Sequence, residues 1–279
     1  MSSPSNYAAP LRMVFLGSGS AGNAVAVTDG LTTLLIDCGF SARETARRMA
    51  LVGLKATSVC AILVTHEHSD HIRGVDVFSR RHAQCAVACT RGTIRAAGFA
   101  QLGCEVVVLR AGDSERFGTL SVLPFRTSHD AAEPVGFRIE TDDGQRLGLA
   151  TDTGVLTPEA AEALAEVDLL GIESNHDLTM LENGPYPSFL KRRILSKQGH
   201  LSNPDAADAL ELLASDRLRR VFALHRSNTN NSATLARRVL VARAAAIGLN
   251  VPIDVAPQDS VLDSDPPQGA LFAAEKGPK

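Results

Sequence analysis

A dense cluster of side chains that bind metals lies in the first third of the chain. Residues 66–71 read HEHSDH, and the ligand types among them are His66, His68, Asp70 and His71. Imidazole nitrogens suit borderline metals such as zinc, and carboxylate oxygens bind the same ions. His66 and His68 are two residues apart, so their side chains point the same way in an extended segment. A solvated loop has no reason to repeat imidazole so densely, and the cluster therefore predicts a metal site.

Three later residues of the same types also follow predicted apolar strands: His129, Asp152 and His225. Strand ends hold side chains rigidly, which suits a metal centre. Two ions about 3.5–4 Å apart can share a bridging hydroxide and a bridging carboxylate, and Asp152 is the natural bridge. We therefore expect two divalent ions. The many imidazoles favour Zn²⁺, with Mn²⁺ as the alternative.

Strand and helix signals alternate along the chain that must position these ligands. Asp29-Gly30 is a strong hairpin turn signal, and a second hairpin is expected around residues 142–144. Helices are expected after Ser41 and Thr157, which are good N-caps. Hairpins in both halves, with helices between and after them, indicate an α/β fold in which two sheets face each other and the helices lie outside.

The domain limits follow from composition along the chain. We expect one hydrolase domain over residues 11–255, after a flexible N-terminus at residues 1–10. Residues 256–279 are rich in Pro, Asp, Ser and Gly and are expected to form a disordered tail.

Overall composition limits the partners and the location. A net charge of −3 argues against nucleic-acid binding over the whole surface of the protein. A polyanion would therefore have to bind at a local basic patch. The five cysteines lack framework spacing, which is typical of a reducing compartment. Neither a signal peptide nor an apolar run of about 18 residues is found, so we expect a cytoplasmic protein with no membrane association.

Residues 17–22 read GSGSAG and match the glycine pattern of dinucleotide-binding loops. That interpretation requires a helix directly after the loop. A hairpin is predicted there instead. We expect these glycines to let the loop pack close to the metal site.

The cluster at residues 66–71, followed in order by His129, Asp152 and His225, resembles the signature of the metallo-β-lactamase fold over residues 11–255. The resemblance implies a four-layer αβ/βα sandwich of two facing mixed sheets with the metals at one edge. It assigns His66, His68 and His129 to one ion, and Asp70, His71 and His225 to the other. Asp152 would bridge the ions, and Asp37 would orient a ligand histidine.

Glu173 and His200 resemble the proton-donor pair of ribonuclease Z. A carboxylate beside an imidazole raises its pKa, as protonation of a leaving group requires. We count both as catalytic residues, together with Asp70. The alternative is that His200 only caps a helix starting near Pro204. The charge sum also points to a phosphodiester, because two ions, two aspartates and one hydroxide leave a net +1 that favours an anionic group.

Several stretches resemble a bacterial group, the WalJ-like (YycJ-like) hydrolases, which are regarded as 5′→3′ DNA exonucleases. The stretches are LGSGS at 16–20, THEH at 65–68, ESNHD at 173–177, YP at 186–187 with LKRRI at 190–194, and GHLSN at 199–203. One departure is Arg226, where the group is expected to have leucine. The resemblance implies a DNA phosphodiesterase that uses a hydroxide bridging the metals.

The candidate substrate contacts are Lys191, Arg192, His176, Ser227 and Asn230. Lys191 and Arg192, together with Arg193 that follows them, could hold a phosphate backbone, or the run could form a solvated helix face. His176 could also be a hydrogen-bonded loop residue. Two other functions remain open. A hydrolase of thioesters, lactones or cyclic phosphodiesters would need the same metals without a basic groove. A non-catalytic metal-binding module would not need the complete ligand set.

Overall fold

The described residues form two sheets of seven strands each. The computed structural model describes residues 9–265. The strands of the first sheet, numbered in chain order, are β1 (Arg12–Gly17), β2 (Ala24–Thr28), β3 (Thr33–Ile36), β4 (Val59–Leu63), β5 (Ala86–Thr90), β6 (Val106–Leu109) and β14 (Leu262–Asp263). Those of the second are β7 (Glu115–Phe117), β8 (Leu120–Arg126), β9 (Val135–Thr141), β10 (Arg146–Ala150), β11 (Leu169–Glu173), β12 (Arg220–Leu224) and β13 (Ile253–Val255).

Both sheets combine antiparallel hairpins with parallel strands. In the first sheet β1, β2 and β3 pair antiparallel, and β3 to β6 pair parallel. In the second, β7 to β10 pair antiparallel and β10 to β13 pair parallel. Because parallel strands end at the same edge of a sheet, the loops that follow β4, β10, β11 and β12 gather at one side of the molecule.

Helices cover the outer faces of both sheets. They are α1 (Ala42–Leu51), α2 (Ser69–Ile72), α3 (Val75–Arg81), α4 (Arg91–Ala97), α5 (Pro158–Leu164), α6 (Leu178–Asn183), α7 (Ser188–Ile194), α8 (Asn203–Leu213) and α9 (Ala233–Ala246), with 3-10 turns at Ala56–Ser58 and Phe99–Gln101. Ser41 and Thr157 cap α1 and α5 as expected. No helix in residues 9–265 is long and apolar enough to cross a membrane.

Three apolar clusters define the layers. The central cluster lies between the sheets, where the rings of Phe15 and Phe222 are 4.8 Å apart. One outer cluster joins the first sheet to α1, α3 and α4, and the other joins the second sheet to α5, α8 and α9. Two facing mixed sheets with helices outside confirm the expected four-layer sandwich.

The ordered part of the chain extends beyond residue 255, so the expected boundary of the disordered tail at 256 is wrong. Ala256 is buried, and β14 pairs with β1. Gln258 bonds to the Gly/Ser loop through Ala21 N at 2.9 Å and Gly22 O at 2.8 Å. The polar composition suggested disorder, but these polar groups find partners that are distant in sequence. Residues 266–279, and residues 1–8 of the expected flexible N-terminus, lie outside the described residues.

Candidate metal centre

The predicted ligands meet where the ends of five strands converge. The cluster at 66–71 follows β4, and His129 follows β8. Asp152 and His225 follow β10 and β12, while Glu173 ends β11. Each strand is held by its neighbours, so backbone pairing across two sheets determines where these side chains lie.

The structure brings all seven predicted ligands together in overlapping groups whose donor atoms lie within 4.8 Å of one another. Three groups consist of predicted ligands alone: His66, His68 and His129; Asp70, His71 and His225; and His66, His71 and Asp152. A fourth group joins Asp152 and His225 to Glu173 and His200. Asp152 is thus close to one member of each of the first two groups. This is the arrangement that a bridging carboxylate requires.

The donor chemistry fits two divalent ions. His66 Nε2 and His225 Nε2 are buried, and neither has a hydrogen-bond partner in residues 9–265. His129 Nε2 faces His68 Nδ1 at 3.3 Å. A buried nitrogen without a partner costs free energy, which a metal ion would offset. Burial raises the pKa of Asp152, but the surrounding imidazoles, His225 first, outweigh it and hold that pKa well below its ordinary value.

Asp37 holds one ligand histidine in place. Its carboxylate accepts hydrogen bonds from His71 Nδ1 at 2.7 Å and from Thr65 N at 2.8 Å. This leaves His71 Nε2 to face the centre, where Asp152 lies 3.3 Å away. Burial raises the pKa of Asp37, and the bonds from His71 and Thr65 only partly offset this. The contact is the one expected of a residue that orients a metal ligand.

Glu173 joins two histidines at the centre. Its Oε1 accepts hydrogen bonds from His200 Nδ1 at 2.8 Å and His225 Nδ1 at 3.0 Å. Its Oε2 accepts from the backbone of Thr153 at 2.8 Å. Burial lowers the pKa of His200, but the charge and hydrogen bond of Glu173 outweigh it, so the pKa is raised. Ser202 caps α8, which rules out the alternative that His200 is only a helix cap.

Three residues of the site adopt left-handed backbone conformations. The φ angles are 59° at Asp37, 51° at Asp152 and 47° at His225. Such values cost free energy in residues other than glycine, and they persist where surrounding contacts determine the conformation. The positions of these side chains are therefore set by the folded network and not by local preference.

Glycines allow the loops of the site to pack closely. A Cβ on Gly39 would lie 1.7 Å from Asp70 O, so only glycine fits there. In the Gly/Ser loop, Ser18 Oγ accepts a hydrogen bond from His225 N at 2.9 Å, and Gly19 N donates to Asn23 at 2.8 Å. A hairpin follows this loop, as predicted, and the loop supports the metal site.

A pocket of about 260 Å³ lies beside His200. Of the predicted substrate contacts, Ser227 lines it, whereas Lys191, Arg192, His176 and Asn230 are not among its lining residues. Tyr186 and Arg193 line it as well. Arg193 belongs to the basic run at 191–193 that was expected to hold a phosphate, whereas Tyr186 was not predicted as a contact. The run of three basic residues was visible in the sequence, but which of them faces the site depends on how α7 is rotated.

The predicted substrate contacts that do not line this pocket have other surroundings. Lys191 Nζ donates to Glu182 O at 2.7 Å, and Arg192 is exposed. His176 is buried, and its ring nitrogens have no hydrogen-bond partner within residues 9–265, although its backbone oxygen accepts from Asn203 N at 2.8 Å. Asn230 is buried as well. Arg226, at the position where leucine was expected, stabilises its own loop: its Nη1 donates to Ser227 O at 3.0 Å.

The fold and the site define a metal-dependent hydrolase with a two-sheet α/β sandwich and a His/Asp centre at the sheet edge. The model of the family described as "Beta-lactamase superfamily domain" matches residues 32–225, and the chain belongs to this family.

Similar proteins cover most of the chain. It is 34% identical over 256 residues to exodeoxyribonuclease WalJ of Streptococcus pneumoniae serotype 2 (strain D39 / NCTC 7466), covering 90% of this chain and 95% of the relative. It is 36% identical over 230 residues to exodeoxyribonuclease YycJ of Bacillus anthracis, covering 81% and 86%. The metallo-beta-lactamase fold protein YhfI from Bacillus subtilis superposes with a TM-score of 0.70 at 14% identity, covering 91% and 99%, which shows the shared fold.

Proposed function

We propose that this chain is a DNA exonuclease of 5′→3′ direction that hydrolyses phosphodiester bonds. The observation that carries the proposal is the complete donor cluster with the Glu173–His200 pair beside it, next to an open pocket. The names of the two relatives that align over most of the chain support the choice of DNA as substrate.

The metal assignment in this proposal uses the three donor groups. One ion would be held by His66, His68 and His129, and the other by Asp70, His71 and His225. Asp152 lies between them. Bound divalent ions lower the pKa of water and polarise a phosphoryl oxygen. The imidazole-rich donor set favours zinc, and the mixed His/Asp group also suits manganese.

The protein's own contribution is to place the phosphate and supply a proton. In hydrolysis, a bond forms between a water oxygen and phosphorus, and the bond from phosphorus to the leaving sugar oxygen breaks. Glu173 fixes His200 through Nδ1, and His200 Nε2 has no hydrogen-bond partner among the described residues. With its raised pKa, His200 can donate the proton from Nε2 to the leaving oxygen.

An assay with matched substrates tests this proposal. Metal-loaded protein is incubated with end-labelled DNA, end-labelled RNA, bis-p-nitrophenyl phosphate and a thioester. We expect mononucleotides to be released stepwise from one end of DNA. Turnover of the thioester alone would show a small-molecule hydrolase, and internal cuts would rule out the exonuclease mode.

A further inference from the structure

The pocket beside His200 is formed largely by a segment that the proposed metal chemistry does not use. Tyr186 lies in the short connection between α6 and α7, and Leu190 and Arg193 lie on α7. His200 lines the same pocket, so a group bound there lies next to the reacting centre. Pockets for drug-sized ligands measure about 300–1,000 Å³. A volume of about 260 Å³ therefore suits one small unit.

Arg193 is the basic residue of α7 that reaches this pocket. Its Nε donates to Asp130, which orients the guanidinium. Its Nη1 and Nη2 make no hydrogen bond to any of the described residues, so two donor groups are available to an anion. Asp130 Oδ1 also lies 3.4 Å from Nε2 of the predicted metal ligand His129. Asp130 therefore connects Arg193 to the predicted metal site. Arginine with free terminal nitrogens matches the geometry of a phosphate.

Tyr186 supplies an aromatic ring in a chain that has few of them, with two tyrosines and no tryptophan. Its side chain is half-buried, and its hydroxyl makes no hydrogen bond within residues 9–265. Nothing in the described structure therefore requires the hydroxyl. The face of the Tyr186 ring can instead stack against a nucleic-acid base, because bases stack on aromatic side chains with little dependence on sequence.

We propose that this pocket binds the terminal nucleotide of a DNA strand, with its base stacked on Tyr186 and a phosphate held by Arg193. The inference rests on the proposed function and deepens it. A pocket for one nucleotide explains why cleavage would proceed from an end, one residue at a time. Because stacking is tolerant of sequence, the enzyme would not select a particular terminal base.

Tyr186 is tested with two variants and two DNA ends. One substrate has an ordinary terminal nucleotide, and the other has an abasic sugar at that position. We expect Tyr186→Leu to lower kcat/KM about tenfold on the ordinary end, as loss of one base–aromatic stack would. Tyr186→Phe keeps the ring and should retain wild-type activity. On the abasic end, Tyr186→Leu and wild type should be equal.

Arg193 is tested against its neighbour on the same helix. Arg193→Gln should weaken DNA binding and reduce the slope of log affinity against log salt by about one. Arg192→Gln is the matched control because Arg192 is exposed outside the pocket, and its slope should equal that of wild type.

The outcomes separate the pocket from the activity. If wild type cleaves DNA ends but Tyr186→Leu lowers kcat/KM relative to wild type by the same factor on ordinary and abasic ends, Tyr186 is structural and the pocket proposal fails alone. The pocket proposal also fails alone if Tyr186→Leu keeps wild-type activity on the ordinary end. It fails alone as well if Arg193→Gln leaves the salt dependence of DNA binding unchanged. If wild type cleaves no DNA, the proposed function and the pocket fail together.

Discussion

At the scale of single residues, two buried carboxylates orient three histidines of the site. Glu173 bonds to one nitrogen of His200 and one of His225, and Asp37 does the same for His71. In each case the carboxylate accepts a hydrogen bond from Nδ1 of the histidine, so Nε2 of that histidine can have another role. For His225 and His71 that role is to face the metals. For His200, the proposed role is to give up a proton.

His200→Ala should separate the role of proton donor from that of ligand. We expect kcat to fall about 10²–10⁴-fold, the usual loss when a general acid is removed, with the metal content unchanged. His82→Ala is the control, since His82 follows the last residue of α3 and belongs to none of the donor groups among the described residues. Metal content is measured by elemental analysis and kcat on end-labelled DNA. His200 also lies in a donor group with Asp152 and His225, so loss of metal would make it a ligand instead.

At the scale of elements, α1 connects β1 to the segment around Gln258. Arg48 is buried and donates through Nη1 to Leu16 O at 2.7 Å and to Gln258 O at 2.8 Å. Its Nε donates to Glu44 at 2.6 Å. Because Gln258 also bonds to the Gly/Ser loop, this network links α1, β1 and the C-terminal segment to a loop that supports the metal site.

The pH dependence of stability should reveal this network. Hydrogen bonds from Arg47 and then Arg48 lower the pKa of Glu44 from 4.5 to about 2. The folded-state pKa lies below the unfolded-state value, so the stabilisation is present above about pH 4.5 and is lost as the pH falls towards 2. Allowing for solvent screening at this half-exposed pair, Glu44→Gln should lower the free energy of unfolding by about 1 kcal/mol at pH 7.

Urea unfolding at pH 7, 5 and 3 measures this difference, which should shrink as the pH falls. Glu162→Gln is the control, because Glu162 is exposed and has no ion pair within the described residues. A difference that stays constant with pH would contradict the role of the Glu44 charge.

At the scale of the whole molecule, the metal centre spans both halves of the chain. Four of its ligands follow β4 of the first sheet, and the other three follow strands of the second sheet. The donor groups at this edge combine residues from both sheets, as in the group of His66, His71 and Asp152. Bound ions would therefore cross-link the sheets.

Metal removal should lower the melting temperature. Ions present at about 1,000 times their Kd add about 4 kcal/mol to stability. For a chain of this size each kcal/mol shifts Tm by about 2–4 °C, so a chelator should lower Tm by about 10 °C. Thermal melts with and without chelator measure the effect. An Asp152→Asn variant, which lacks the proposed bridging charge, should show a smaller shift, and equal melting of the metal-loaded and chelated wild type would exclude a cross-link.

The metal centre was predictable because its signal is local. Four ligand types lie within residues 66–71, and the others follow apolar strands whose pairing brings their ends together. The substrate contacts were less predictable. Lys191, Arg192 and Arg193 are equivalent in sequence, and only the rotation of α7 against the site distinguishes Arg193. His176 was a plausible contact by residue type, yet packing buries it away from the pocket.

The sequence by itself determined the fold class and the seven candidate ligands, because residue type and strand periodicity are properties of short segments. The resemblance to ribonuclease Z indicated the Glu173–His200 pair. Tertiary structure alone decided three other matters. It ordered residues 256–265 through bonds to distant loops, imposed left-handed conformations on Asp37, Asp152 and His225, and placed Tyr186 and Arg193 at the pocket. Each of these depends on contacts between segments far apart in the chain, which no local pattern contains.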